Sequence, residues 1–277
     1  MKNDDLDAML AVAQEAAEIG RKLMVTQGPG EVHTKGDRDL VTDLDVRIQR
    51  EVRDFLRRAT PSFDFLGEED GGDSIDSSAE YIWTLDPIDG TSNFAHGIPL
   101  CATQLALLHQ GTPVVAAINA PFINLSYCAI RGSGAYCNGT LIHASPNSCI
   151  DRAIVSIGDY ATGANASAKN NQRLALTRTL ADNVERVRMF GSAALDLAFV
   201  AHGRTDACII LSNKPWDTAS GVLIAREAGA IVTDLAGNSH SAHSLTTRAT
   251  AANLSDSLTK MIPKELMQEP TTQSKGN

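Results

Sequence analysis

The stretch Trp83-Thr84-Leu85-Asp86-Pro87-Ile88-Asp89-Gly90-Thr91-Ser92-Asn93-Phe94 constrains this chain more than any other, because an apolar strand ends directly in two carboxylates and a turn. Pro87 fixes its own φ and biases Asp86 toward an extended backbone, so Asp86 and Asp89 are offered from a stiffened turn. Gly90 and Thr91 are small, and their amides can approach an anion, all the more if Thr91-Ser92 opens a helix. Two readings are open. One is an Asx turn that merely ends a strand; the other is a place that holds a divalent metal beside a phosphate.

Two further acidic segments weigh on that choice. Leu66-Gly67-Glu68-Glu69-Asp70 lies upstream, and Pro215-Trp216-Asp217-Thr218-Ala219-Ser220-Gly221 lies far downstream, where an apolar helical pattern begins. The order G-E-E, then D-P-I-D-G-T-S-N-F, then W-D-x-A-x-G resembles the inositol monophosphatase family of magnesium-dependent phosphomonoesterases. That family includes histidinol-phosphatase, fructose-bisphosphatase and nucleotide-bisphosphatase relatives. The likeness runs from about residue 5 to residue 265, and the long central motif is its most specific part.

Composition narrows the partners. Acidic residues outnumber basic ones, 33 to 24, and no Lys/Arg run appears, so a nucleic-acid polymer is not expected to bind. A phosphorylated substrate must then meet local positive charge, for which metal ions are the obvious source. The five cysteines contain no C-x-x-C pair and read as reduced thiols of a cytoplasmic protein. No basic, apolar leader and no apolar run of membrane-spanning length is visible, so no membrane partner is expected. The seven histidines show no ligand spacing, and zinc is not indicated.

Periodicity predicts helices over 4–26 and about 42–59, separated by a polar loop containing Lys35-Gly36-Asp37. Strands are predicted near 62–66, 81–86, 102–109, 113–119 and 126–130. After Cys137-Asn138-Gly139 the pattern alternates: strands near 153–157, 187–190, 206–211 and 230–234, with helices near 170–182, 192–202 and 217–228. This suggests an α+β half over 1–138 carrying most metal ligands, an α/β half over 139–266 completing the site, and a disordered tail over 267–277. The resemblance implies that the halves stack as a layered αβαβα sandwich with the metal site at their interface.

The resemblance also implies roles for particular residues. Glu68, Asp86 and the Ile88 carbonyl would hold one Mg²⁺, and Asp86, Asp89 and Asp217 a second; in some members a third leans on Glu68. Taken alone, Glu68 with Glu69 and Asp70 is a solvated acidic loop, and Asp217 is a favourable charge at a helix N-terminus. Glu69 and Asp70 are expected at the surface. Thr42-Asp43-Leu44-Asp45 is a capping box on physical grounds, whereas the family places an Asp here that bonds the Thr of the D-G-T turn to polarise water; that reading pairs Asp45 with Thr91. Lys35 matches a family lysine near the metals, or is a solvated loop residue. Phosphate would sit on Gly90, Thr91 and Ser92. Gly191-Ser192-Ala193-Ala194 either faces the substrate or packs helices through small residues.

One departure concerns the substrate. Inositol-specific relatives carry a Glu seven residues before the W-D aspartate, and here that position is Ile210. An apolar side chain cannot replace hydrogen bonds to a polyol. The expected activity is therefore Mg²⁺-dependent hydrolysis of a small phosphorylated metabolite by a homodimer, with inositol monophosphate, a sugar phosphate or histidinol phosphate as candidates. A 3′-nucleotide phosphatase acting on adenosine bisphosphate, and a non-catalytic regulatory protein on the same fold, are the alternatives.

Overall fold

A computed structural model of the protein describes residues 3–37, 39–70 and 79–267. Helix α1 (Asn3–Thr26) turns Ala13, Ala16, Ala17, Leu23 and Met24 inward, the 3.6-residue stripe legible in the sequence. Helix α2 (Asp43–Ala59) buries Leu44, Ile48, Val52 and Leu56 and starts at the expected capping box. Between them, where the sequence suggested a polar loop, β1 (Val32–Gly36) pairs with β2 (Asp39–Thr42). β1 is exposed along its whole length, so no apolar alternation betrays it.

Seven of the described strands form one sheet, in spatial and sequence order: β3 (Asp64–Gly67), β4 (Tyr81–Asp89), β5 (Ala102–His109), β6 (Thr112–Ala120), β7 (Leu125–Ile130), β8 (Ala135–Cys137) and β9 (Thr140–Ile142). β3 and β4 are parallel, and every other neighbouring pair is antiparallel. Asn138 and Gly139, with φ of +49° and +76°, form the hairpin turn between β8 and β9. This sheet therefore runs to Ile142, past the division expected at 138.

The remaining chain contributes β10 (Ile154–Ile157), β11 (Arg186–Arg188), β12 (Ala207–Ile210), β13 (Ile231–Thr233) and β14 (Thr247–Thr250), in the order β11-β10-β12-β14-β13. β10 runs parallel to β11 and β12, whereas β14 is antiparallel to β12 and β13. Its helices are α4 (Ala166–Asn183), α5 (Ala193–Ala201), α6 (Pro215–Glu227) and α7 (Ser255–Thr259), preceded in the chain by the short α3 (Thr91–Ala95).

Side-chain alternation explains the stacking. On β5, Leu105 and Leu107 pack toward α1 and α2, while Ala106 and Leu108 meet Trp216 and Ala219 of α6. On β12, Cys208 and Ile210 join the cluster containing α5 and α6, while Ala207 and Ile209 join Leu176 and Leu180 of α4 and Leu258 of α7. The result is the layered αβαβα sandwich, with α5 and α6 between the two sheets. That central layer is tight: a Cβ on Gly221 would lie 2.5 Å from Leu197 Cβ, so the last glycine of W-D-x-A-x-G lets the two helices touch. Met267 packs against the outer cluster rather than trailing free, and residues 268–277 of the expected tail lie outside the described residues.

Candidate active site at the junction of the two sheets

β4 does not stop at Asp86 as expected but continues to Asp89 through a bulge, where its register with β5 shifts between Asp86 and Asp89. In a regular strand, residues three apart face opposite sides; the bulge lets Asp86 and Asp89 border the same cleft. Pro87 sits inside the irregularity, where a missing N–H breaks no ladder bond. Gly90 follows at φ +86°, and a Cβ there would meet Leu100 O at 2.9 Å and Gly191 O at 3.0 Å. Asn93 Nδ2 donates to Leu100 O and Phe190 O, both at 2.7 Å, and so ties the turn to the segment leading into α5.

The cleft has a volume of about 230 Å³. Glu68 reaches it from the short 3-10 turn after β3, and Asp217 from the first turn of α6. They meet Asp86, Asp89, Ile88, Gly90 and Thr91, with Gly191, Ser192 and Ala193 at the start of α5. Gln104, which sequence reasoning did not single out, donates to Asp217 O at 2.9 Å and fixes the backbone of that ligand candidate. Ser92 is exposed and does not border the cleft.

Burial dominates the electrostatics. Asp86 is 3 % exposed, and burial pushes its carboxyl well above the usual range, reinforced by Glu68, Asp89 and Asp217. Its Oδ1 has no hydrogen-bond partner. Burial also lifts Asp217 to about 8, against the pull of the Lys214 amide 2.7 Å from its Oδ2. Asp89 is raised to about 7, again by burial, although the Ser192 hydroxyl and the amides of Ala194 (2.8 Å) and Ala193 (3.2 Å) donate to it. The start of α5 thus braces Asp89 while still bordering the cleft. Among the described residues no three acidic, His or Cys side chains form a ready-made metal cage, since Asp89, Asp217 and Glu68 are each engaged by protein donors. The donor set nevertheless fits Mg²⁺: carboxylate and carbonyl oxygens only, around a buried carboxylate oxygen that nothing satisfies.

Asp45 and Lys35 stand behind this wall. Asp45 is buried, and its two oxygens divide the two readings made from sequence. Oδ2 accepts from the Thr42 amide at 2.9 Å to complete the cap, and Oδ1 lies 3.2 Å from Thr91 Oγ1. The single Thr91 proton can serve Asp45 Oδ1 or Ile88 O, the latter at 2.9 Å. Lys35 is not a solvated loop lysine; its Nζ lies 3.0 Å from Glu68 and 2.6 Å from Glu69. Burial opposes its charge, but the two carboxylates hold its pKa above the ordinary lysine value. Glu69, expected at the surface, is 8 % exposed in its side chain, and burial raises it to about 7. Asp70 is exposed, as expected, and pairs with Arg53.

A sequence model of the inositol monophosphatase family matches residues 2–270. The chain belongs to the inositol monophosphatase family. The fructose-1,6-bisphosphatase/inositol-1-monophosphatase of Thermotoga maritima is 33% identical over 229 residues, covering 82% of this chain and 84% of that protein. The Nus factor SuhB of Pseudomonas aeruginosa is 32% identical over 234 residues, covering 84% of this chain and 86% of its own length. The native crystal structure of extragenic suppressor protein suhB from Bartonella henselae shares the fold with a TM-score of 0.85 at 31% identity, covering 93% of this chain and 99% of that one. The signal in this sequence for Gln104 is weak. Gln104 follows Thr103 at the start of β5, and nothing beside it in the sequence sets it apart.

Proposed function

We propose that this chain is a Mg²⁺-dependent phosphomonoesterase that converts a small phosphorylated metabolite to an alcohol and inorganic phosphate. Asp86 carries the reading: a buried carboxylate with an unpartnered oxygen, facing the charges of Glu68, Asp89 and Asp217. Such a concentration of acids is costly to bury unless cations join it. Glu68, Asp86 and Ile88 O would hold one ion, Asp86, Asp89 and Asp217 a second, with a third against Glu68. When bound, Mg²⁺ supplies positive charge to phosphoryl oxygens and makes water a better nucleophile.

The chain's own residues position the rest. The Gly90 and Thr91 amides receive phosphate oxygens. Thr91 Oγ1, when its proton points to Asp45, offers lone pairs to a water, and Asp45 is the buried acceptor for the proton relayed through that hydroxyl. Lys35 holds Glu68 and Glu69, and its release of Glu68 frees an oxygen for a cation. Ile210 borders the cleft and argues against inositol monophosphate as the preferred substrate; a sugar phosphate, histidinol phosphate or a nucleotide 3′-phosphate stays open. A cytoplasmic homodimer belongs to the same reading, supported by free cysteines and by the large apolar side chains exposed at Ile98, Phe122 and Met189. Among the described residues no helix is long and apolar enough to cross a membrane.

A regulatory role is the second reading, favoured by the likeness to a protein named as a Nus factor. Phosphate release from a panel of sugar phosphates, inositol monophosphate, histidinol phosphate and adenosine 3′,5′-bisphosphate separates the two. Turnover of at least one compound with millimolar Mg²⁺, abolished by EDTA, is expected. A folded protein that releases phosphate from none of them at any Mg²⁺ concentration would hand the site to the regulatory reading.

A further inference from the structure

Helix α2 reaches the site twice. Asp45 on its first turn approaches Thr91, and one turn later on the same face stands Gln49, which is 4 % exposed and makes none of the contacts assigned to metal, water or phosphate. A buried glutamine needs partners for its carbonyl and for its amide. Gln49 finds both in the Glu68 turn. The Glu69 N–H, in the peptide that joins Glu68 to Glu69, donates to Gln49 Oε1 at 2.9 Å, and Gln49 Nε2 donates to Asp70 Oδ1 at 3.1 Å. These partners set the orientation of the side-chain amide, since its flipped form would put a donor against the N–H and an acceptor against the carboxylate.

The turn is shaped to receive this side chain. Gly67 precedes Glu68, and a Cβ there would fall on the Gln49 amide, so the glycine of G-E-E makes room for it. Gly67 N donates to Asp70 Oδ2 at 3.2 Å. Arg53, one turn beyond Gln49 on α2, pairs with Asp70 and lies 4.8 Å over the Phe65 ring. A three-residue turn with no buried residue has little packing of its own, and these bonds tie it to α2. Lys35 acts differently. It binds the carboxylates of Glu68 and Glu69, whereas Gln49 binds the backbone between them, so release by Lys35 frees a Glu68 oxygen without releasing the turn.

We propose that Gln49 is a positioning residue that acts through Glu68: by tying the turn to the helix that carries Asp45, it holds the Glu68 carboxylate where a divalent cation shared with Asp86 requires it. The inference rests on the cation site of the phosphatase reading. Its test reads cation binding rather than turnover. Mn²⁺ is titrated into protein stripped with EDTA and then freed of chelator, and unbound Mn²⁺ is followed by its EPR signal in wild type, Gln49→Met, Glu68→Gln and the double variant. Methionine keeps the length of glutamine and removes both bonds. Glu68→Gln is expected to weaken one class of Mn²⁺ sites, Gln49→Met to weaken that class about tenfold, and the double variant to bind Mn²⁺ as Glu68→Gln alone does. Should the methionine variant fail to fold, Gln49→Asn keeps the amide but falls one methylene short of the turn, and is read the same way. Unchanged Mn²⁺ affinity in a folded Gln49 variant, or an equal loss with and without Glu68, overturns the positioning role and leaves the phosphatase reading standing. A wild type that binds no Mn²⁺ overturns the cation site, and the positioning role with it.

Discussion

Asp86→Asn is expected to cut phosphate release by about 10³-fold or more while raising the melting temperature measured in EDTA. The two effects share one cause. Asp86 is the candidate ligand common to both proposed ions, and a metal's contribution to transition-state charge is worth several kcal/mol, with each tenfold in rate equal to about 1.4 kcal/mol. Without cations the same carboxylate is a liability, since it is buried, has one unsatisfied oxygen, and is pushed upward by burial and by Glu68, Asp89 and Asp217. Asparagine keeps the shape and removes the charge. Phosphate-release kinetics and a thermal melt of the same preparation check both halves. Near wild-type turnover would remove Asp86 from the chemistry, and a lower melting temperature in EDTA would mean that its charge braces the fold.

The second large effect concerns pH and cations together. In EDTA the protein should lose thermal stability as pH rises from 6.5 to 8.5, and millimolar Mg²⁺ should cancel most of that loss. Burial raises Asp89 to about 7 and Asp217 to about 8 in the folded protein, against an ordinary aspartate value of 3.8 for each. Through this window the folded state keeps protons that the unfolded chain has already released. Their contribution is complete below the unfolded value and disappears as pH climbs through 7 and 8. Cations replace those protons, so Mg²⁺ stabilises more at the alkaline end. His240 has the opposite sign, because burial lowers it from 6.5 to about 4, but its unfolded imidazole is already half neutral at pH 6.5, so its opposing contribution is small and is finished by the middle of the window. A melting curve flat with pH in EDTA, or a slope that Mg²⁺ leaves untouched, would contradict the assignment.

What the sequence disclosed follows from which signals are local. The α1 and α2 stripes and the Thr42 cap are local signals, and each appears where expected, whereas the D-P-I-D segment expected to turn after the strand is a bulge within β4. Asp45 makes the contacts of both readings because a carboxylate has two oxygens, one closing the cap and one reaching Thr91, and its part in activating water belongs to the proposal. Other features depend on partners far along the chain. Glu69 looked like a surface acid until the β1–β2 hairpin laid Lys35 against it, and that hairpin was invisible because its first strand is solvent-exposed throughout. Asn138-Gly139 marked a change in pattern and was read as a division, whereas its two positive φ angles make it the turn that adds β9 to the sheet.

The central claim is that Glu68, Asp86, Asp89 and Asp217 are the side chains of a divalent-cation site. Crystals grown with Mn²⁺ in place of Mg²⁺ and measured at the manganese absorption edge test it most directly. The account predicts at least two anomalous peaks in the cleft, each about 2.0–2.3 Å from its oxygen ligands, with the Asp86 carboxylate shared between them. A cleft without anomalous density at millimolar Mn²⁺, or peaks bound without Asp86, would contradict it.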